Sequence, residues 1–133
     1  MMPLRAPAGA LRALRSVAIG AALCAYNAAA AAVLKMGPRV FVQTEGAAGC
    51  YTMAAGDWFH TPAFQIDAVD TTGAGDVFHG AYIVGMLNGW DLRRVALFAS
   101  AVAALKCTKL GGRSGIPDMA ETLTFLRSRA HWS

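Results

Sequence analysis

A glycine-rich turn is the stretch of this chain best suited to chemistry. Gly73 and Gly75 flank Ala74, and Asp76 follows directly, at the start of an apolar segment with helical periodicity. Glycine lets the backbone curl tightly, and the free N–H groups at the start of a helix attract anions. The turn therefore predicts a phosphate-binding site.

Asp76 allows two interpretations. A carboxylate in the first turn of a helix is stabilised in its charged form, so it could accept a proton from an alcohol beside a bound phosphate. Alternatively, Asp76 only completes the helix cap. From the turn alone, both interpretations stay open.

Two better-known phosphate loops do not fit these residues. The dinucleotide fingerprint needs a third glycine three residues after Gly75, but Phe78 stands there. The P-loop needs Gly-Lys-Ser/Thr, whereas Gly80 is followed by Ala81 and Tyr82. A different type of phosphate site is expected.

The elements around the turn predict an α/β fold. A strand-like run leads into the turn through Val69, and Asp91 and Asp118 are suited to cap later helices, with Glu121 completing a capping box. Hydrophobic periodicity and turn residues predict strands at residues 40–44, 50–53 and 58–64, and helices at residues 76–87, 91–107 and from 118 onward. We expect fraying from residue 127.

Composition and charge exclude several classes of protein. The 133 residues, 56 % hydrophobic and 15 % charged, are typical of one globular domain rather than a disordered chain. Five of the twelve basic residues fall within residues 1–40, which carry no acid, so the rest of the chain has no basic stripe for nucleic acid. The three cysteines are odd in number and far apart, which favours reduced thiols in the cytoplasm. The three histidines show no zinc-ligand spacing with each other or with cysteine, which argues against a structural metal.

The turn and its flanks resemble a known family. The stretch Asp70-Thr71-Thr72-Gly73-Ala74-Gly75-Asp76, followed by Val77-Phe78-His79-Gly80, is similar to the C-terminal signature of the ribokinase-like, PfkB-type carbohydrate kinases. Residues 37–49 resemble the family's nucleotide-side strand and Thr-x-Gly-x-x-Gly turn, and residues 104–117 resemble its closing loop. The resemblance runs from about residue 32 to about residue 126.

The resemblance implies a partial fold. We expect a partial ribokinase-like three-layer sandwich, with a mostly parallel or mixed central sheet flanked by helices and without the family's N-terminal half and lid. Residues 32–130 would form the partial C-terminal kinase domain. Residues 1–31 are alanine-rich and fit either a helix or a signal peptide, and we favour the helix because the kinase-like part belongs with cytosolic ATP.

The resemblance also implies an activity, the transfer of the ATP γ-phosphoryl group to a sugar hydroxyl with Mg²⁺ shared with ATP. By analogy with the family, Asp76 is the catalytic base, and Gly73, Ala74 and Gly75 form the anion hole. The residues that match the family's nucleotide-binding positions are Thr44, Gly46, Gly49 and Ser100. Those that match its monovalent-cation (K⁺) site, largely through backbone carbonyls, are Asp70, Thr72, Lys106, Lys109, Gly111 and Gly115.

Two functions stay open at this point. The chain is either a sugar kinase domain that needs a complementing chain or a second copy for its sugar site, or a truncated, non-catalytic nucleotide-binding or interaction fragment. We expect ATP and a sugar-derived substrate as partners in the cytoplasm, with neither nucleic acid nor membrane. The sequence does not select the sugar. Exposed strand edges and apolar faces predict self-association.

Overall fold

The computed structural model describes residues 25–54 and 56–129. The chain divides into two compact units, Met1–Phe41 and Val42–Ser133. In the first unit, residues 25–35 form a helix, α1, as expected of the alanine-rich stretch, and Gly37 follows with a φ of 122°. Residues 1–24, which include most of the segment that also fitted a signal peptide, lie outside the described residues.

Three strands form one sheet. They are β1 (Val40–Thr44), β2 (Cys50–Ala54) and β3 (Asp57–Thr61), in the order β1-β2-β3. β2 and β3 pair antiparallel, with Cys50 opposite Thr61 and Ala54 opposite Asp57. The sequence predicted a mostly parallel or mixed sheet. In the described residues the sheet is small and is built around the β2–β3 hairpin, because a connection as short as the one between these two strands joins only antiparallel strands.

The strand predicted for residues 58–64 ends earlier, at Thr61. Pro62 follows and has no N–H to donate to the sheet. At the same end of the hairpin, Gly49 has a φ of 105°, and an added Cβ would lie 2.1 Å from the carbonyl oxygen of Thr61. Only glycine fits where the chain enters β2.

The strand-like run before the glycine-rich turn is not a strand, which corrects the sequence-based expectation. Residues 62–71 belong to no helix or sheet. The N–H groups of Val69 and Asp70 both donate to the carbonyl of Cys107, at 2.8 and 3.1 Å. The backbone N–H groups of this segment therefore bond to the C-terminus of a helix and not to a neighbouring strand.

Three helices complete the second unit: α2 (Ala74–Leu87), α3 (Leu92–Cys107) and α4 (Met119–Ser128). α3 lies at the centre and packs against α2, α4, β2 and β3. Its inner face, including Val95 and Ala99, has no exposed surface. At Gly85 an added Cβ would lie 3.1 Å from the methyl groups of Val95, so the glycine allows α2 and α3 to approach closely.

The predicted helix caps are confirmed. Asp91 accepts a hydrogen bond from the N–H of Arg94 at 3.0 Å. Asp118 and Glu121 form both bonds of the capping box, at 2.8 and 2.9 Å. α4 continues to Ser128, so the predicted fraying from residue 127 begins too early, and residues 130–133 lie outside the described part. Among the described helices, none is long and apolar enough to cross a bilayer.

Candidate functional site

The glycine-rich turn presents backbone donors at the start of α2. Gly73 is the N-cap in the left-handed conformation, with φ 74° and ψ 6°. The N–H of Ala74 donates to Thr71, and no side chain caps this helix end in the described structure. The N–H groups of Gly75 and Asp76 have no acceptor within the helix because they belong to its first turn. The positive end of the helix dipole lies at the same place.

Asp70 connects the turn to the loop after α3. Its Oδ1 accepts the N–H of Thr72 at 2.8 Å, and its Oδ2 accepts the N–H of Gly111 at 2.8 Å. The bonds from Thr72 and Gly111, with a smaller contribution from the charge of Lys106, lower the pKa of Asp70 to about 2. The carboxylate is therefore ionised at neutral pH and tied to both loops.

Lys106 was predicted as a carbonyl ligand, but its side chain also has a role here. It has 0 % exposed surface, and its Nζ donates to the carbonyl of Asp70 at 2.9 Å. The sequence contained a signal for the burial of Lys106, which was missed. Lys106 continues the buried face of α3 after Val95, Ala99 and Val102 at helical spacing.

A cavity of about 290 Å³ lies on one side of the turn. All four residues predicted to contact the nucleotide line it, together with Ala74 and Gly75 of the predicted anion hole. The structure thus brings together residues that lie far apart in the sequence. Its apolar walls carry a few hydroxyl groups, as expected of a small-molecule site. The lining residues predicted from sequence are Thr44, Gly46, Gly49 and Ser100.

Segment 63–68 forms a wall of this cavity that sequence reasoning missed. Phe64 and Ile66 line the cavity, and the ring of Phe64 packs edge-on against Phe125 of α4, with centroids 5.1 Å apart. No local pattern marks the segment, because its position follows from packing against a helix about 60 residues later.

The opposite wall is fixed by buried polar contacts. Ser100 is 7 % exposed and is hydrogen-bonded to the thiol of Cys50. Burial raises the pKa of the Cys50 thiol, so the protonated form packs between β2 and α3. The ring Nε2 of His60 lies 2.8 Å from the carbonyl of Ala48 and holds the turn after β1.

A second, wider groove of about 730 Å³ lies on the other side of the glycine-rich turn. Gly73 and Asp76 line it, and Asp76 is exposed. Arg113 is the one basic residue among the described residues that line this groove, and the sequence analysis had assigned it no role. Apolar side chains of α2 and α3, including Val84 and Phe98, also line the groove, as do residues of the loop after α3 and of the first turn of α4.

The residues predicted to hold a monovalent cation lie close together around Asp70 and Lys106. Gly111 bonds to the Asp70 carboxylate, Lys109 N–H donates to the carbonyl of Lys106 at 3.3 Å, and an added Cβ on Gly115 would lie 2.5 Å from that carbonyl oxygen. The oxygens of Asp70 already accept protein N–H donors. Within the described residues, histidine, cysteine and carboxylate side chains form no cluster that could hold a metal ion.

The chain is similar to known proteins in sequence and in fold. Residues 11–119 match the pfkB family of carbohydrate kinases. A ribokinase from Haemophilus influenzae is 37 % identical over 83 residues, which are 62 % of this chain and 27 % of that protein.

Two solved structures have a similar fold. A candidate ribokinase II from E. coli, in complex with ATP and Mg²⁺, superimposes with a TM-score of 0.71 at 33 % identity, over 74 % of this chain and 32 % of that one. The Arabidopsis thaliana ribokinase, complexed with ribose and ATP, gives a TM-score of 0.71 at 29 % identity, over 76 % and 33 % of the two chains. The chain therefore spans about a third of the length of the relatives that it matches.

Proposed function

Because the chain belongs to the pfkB family of carbohydrate kinases, we propose that residues 32–130 contribute the phosphoryl-transfer site of an ATP-dependent sugar kinase. The observation that carries this proposal is the position of the glycine-rich turn between two concave surfaces. Ala74 and Gly75 line the cavity on one side, whereas Gly73 and Asp76 line the groove on the other. A phosphoryl group at the turn could pass from a donor in the cavity to an acceptor in the groove.

The cavity suits the nucleotide. Its apolar walls would hold the adenine, and the hydroxyls of Thr44, Thr71 and Ser100 are available to the ribose and phosphates. The first-turn N–H groups of Gly75 and Asp76 would bind the transferred phosphoryl, because backbone donors at a helix start stabilise anions without reorganising. Mg²⁺ would enter with ATP and would neutralise part of the charge on its phosphates.

Asp76, which lines the groove, would act as the base. Its carboxylate would take the proton of the acceptor hydroxyl while that oxygen bonds to the γ-phosphorus and the bond to the β-phosphate oxygen breaks, giving ADP and a sugar phosphate. Arg113 in the same groove would bind an anionic or polyhydroxylated acceptor. We also propose that this reaction runs in the cytoplasm, where ATP is supplied.

A second candidate function is a non-catalytic one. The matched part is about a third of each relative, and the sugar contacts would come from residues outside this part, in the same protein, in a second chain or in a second copy. Without that contribution, the protein would bind nucleotide and not transfer phosphate. The two candidates share the nucleotide cavity and differ only in turnover.

The test combines calorimetry and product release. We expect the purified protein to bind ATP with Mg²⁺, and to release ADP when ribose or another pentose or hexose is added. Asp76→Asn should remove sugar-dependent ADP release, a loss of about 10²- to 10⁴-fold, and leave ATP binding intact. Binding with no turnover on any sugar would favour the non-catalytic function, and a protein that binds no ATP would overturn both.

A further inference from the structure

Lys106 is the only charged residue that is fully buried in the described part of the chain. Removing an ammonium group from water is costly unless the group finds hydrogen-bond acceptors or an opposite charge. Lys106 has both, because its Nζ donates to the carbonyl of Asp70 at 2.9 Å and its charge contributes to the lowered pKa of the Asp70 carboxylate.

These contacts fasten the segment that enters the glycine-rich turn. The carbonyl of Asp70 is held by Lys106, while the N–H groups of Val69 and Asp70 donate to the carbonyl of Cys107. Lys106 and Cys107, at the end of α3, thus bind both the carbonyl and the N–H groups of the backbone that leads into the glycine-rich turn. The Asp70 carboxylate then holds the N–H of Thr72, next to the left-handed Gly73.

We infer that Lys106 is a positioning residue for the phosphate-binding turn, an inference that rests on the proposed nucleotide function. Its ammonium fixes the backbone from which the anion-binding N–H groups of Gly75 and Asp76 project. The same ammonium also places a positive charge beneath a site for negatively charged phosphates. The sequence predicted a monovalent cation close to Asp70 and Lys106, held largely by backbone carbonyls. The buried ammonium of Lys106 supplies a positive charge at this place from the protein itself.

Lys106→Met separates positioning from overall stability. Methionine nearly matches lysine in length and is apolar, so the gain from no longer burying an ammonium should offset part of the lost hydrogen bond, and the melting temperature should fall only slightly. The carbonyl of Asp70 would lose its donor, however. We expect hydrogen exchange of the hydrogen-bonded backbone amides of Val69, Asp70 and Thr72 to become at least about tenfold faster, with α4 and the β2–β3 hairpin unchanged.

The binding measurement compares two ligands. For Lys106→Met we expect ATP affinity to fall at least about tenfold, the factor that corresponds to a lost hydrogen bond to a charged group. Adenosine affinity should stay within about twofold, because adenosine carries no phosphate for the turn to bind. Arg127→Met, which removes an exposed cation from α4, is the matched control and should behave as wild type in every assay.

The outcomes are distinguishable. Unchanged exchange at Val69, Asp70 and Thr72 would overturn the positioning role, as would equal losses of ATP and adenosine affinity or acceleration of exchange throughout the molecule. If wild-type protein binds no ATP, the proposed function fails, and the exchange data still decide whether Lys106 holds the turn. Should Lys106→Met not fold, Lys106→Gln, shorter and uncharged, is judged by the same measurements.

Discussion

The carboxylate of Asp70 accepts the backbone N–H of Gly111 at 2.8 Å, across 41 positions of sequence. Its other oxygen accepts the N–H of Thr72 at 2.8 Å. One side chain thus holds the glycine-rich turn against the loop after α3. Both bonds require the ionised carboxylate, because it accepts at both oxygens, whereas a protonated carboxyl carries a proton on one of them.

This relationship makes stability depend on pH in the acid range. The pKa of Asp70 is about 2 in the folded protein, below the ordinary value of 3.8. A carboxyl whose pKa is lowered by folding stabilises the folded state above the unfolded pKa, so its contribution is complete above about pH 4. We expect it to be lost progressively as pH falls from about 4 to about 2.

Urea unfolding of wild type and Asp70→Asn as a function of pH measures this contribution. The stability difference between the two proteins should be constant at neutral pH and should shrink as pH approaches 2. Asp67→Asn, three residues away and exposed, is the control. If the wild-type and Asp70→Asn profiles run parallel down to pH 2, the Asp70 carboxylate is not the stabilising group.

Gly49 is a position where a methyl group should be strongly destabilising. Its φ is 105°, and an added Cβ would lie 2.1 Å from the carbonyl oxygen of Thr61 and 2.8 Å from the amide nitrogen of Ala63. Backbone strain of this kind costs about 1–3 kcal/mol, and the clash with two backbone atoms adds to it. We therefore expect Gly49→Ala to lower the free energy of unfolding by at least about 2 kcal/mol.

Gly46→Ala is the comparison for that measurement. Gly46 also has a positive φ, 55°, but an added Cβ would meet no atom within 4 Å. Only the conformational strain applies there, so thermal unfolding should show a smaller loss than for Gly49→Ala. Equal losses for the two variants would mean that β2 shifts to accept the methyl group at position 49.

Local signals in the sequence predicted most of the secondary structure. The caps at Asp91 and Asp118 and the predicted end of a helix at residue 87 depend on neighbouring residues in the chain, and the structure has all three. The predicted start of α2 was late by two residues, because Gly73 itself takes the N-cap position. Signals of this range can be read without knowledge of the tertiary fold.

Contacts between distant segments could not be read in the same way. The run before the glycine-rich turn has the apolar character of a strand, yet its N–H groups bond to Cys107, which the sequence gives no reason to expect. The side chain of Lys106 was missed because a lysine in a helix is normally exposed. The resemblance to a family identified the candidate site residues in the sequence. The tertiary structure brings them together around one turn, the two concave surfaces beside it and the loop after α3.

The cavity that we propose for the nucleotide can be filled from α3. Ala103 lines the cavity and is only partly buried, so a larger side chain can enter the empty space without displacing the core. Ala103→Leu keeps a strong helix former at this position and adds three carbon atoms to a cavity of about 290 Å³. We expect its melting temperature to stay close to wild type.

ATP affinity of Ala103→Leu should fall at least about tenfold, because the added side chain occupies volume that the adenosine needs. Ala120→Leu is the matched control, since Ala120 is exposed on α4 and lines neither the cavity nor the groove. Calorimetric titration of both variants with ATP and with adenosine gives the measurement, and both ligands should be weakened at position 103. Wild-type affinity in a folded Ala103→Leu protein would show that the nucleotide binds elsewhere.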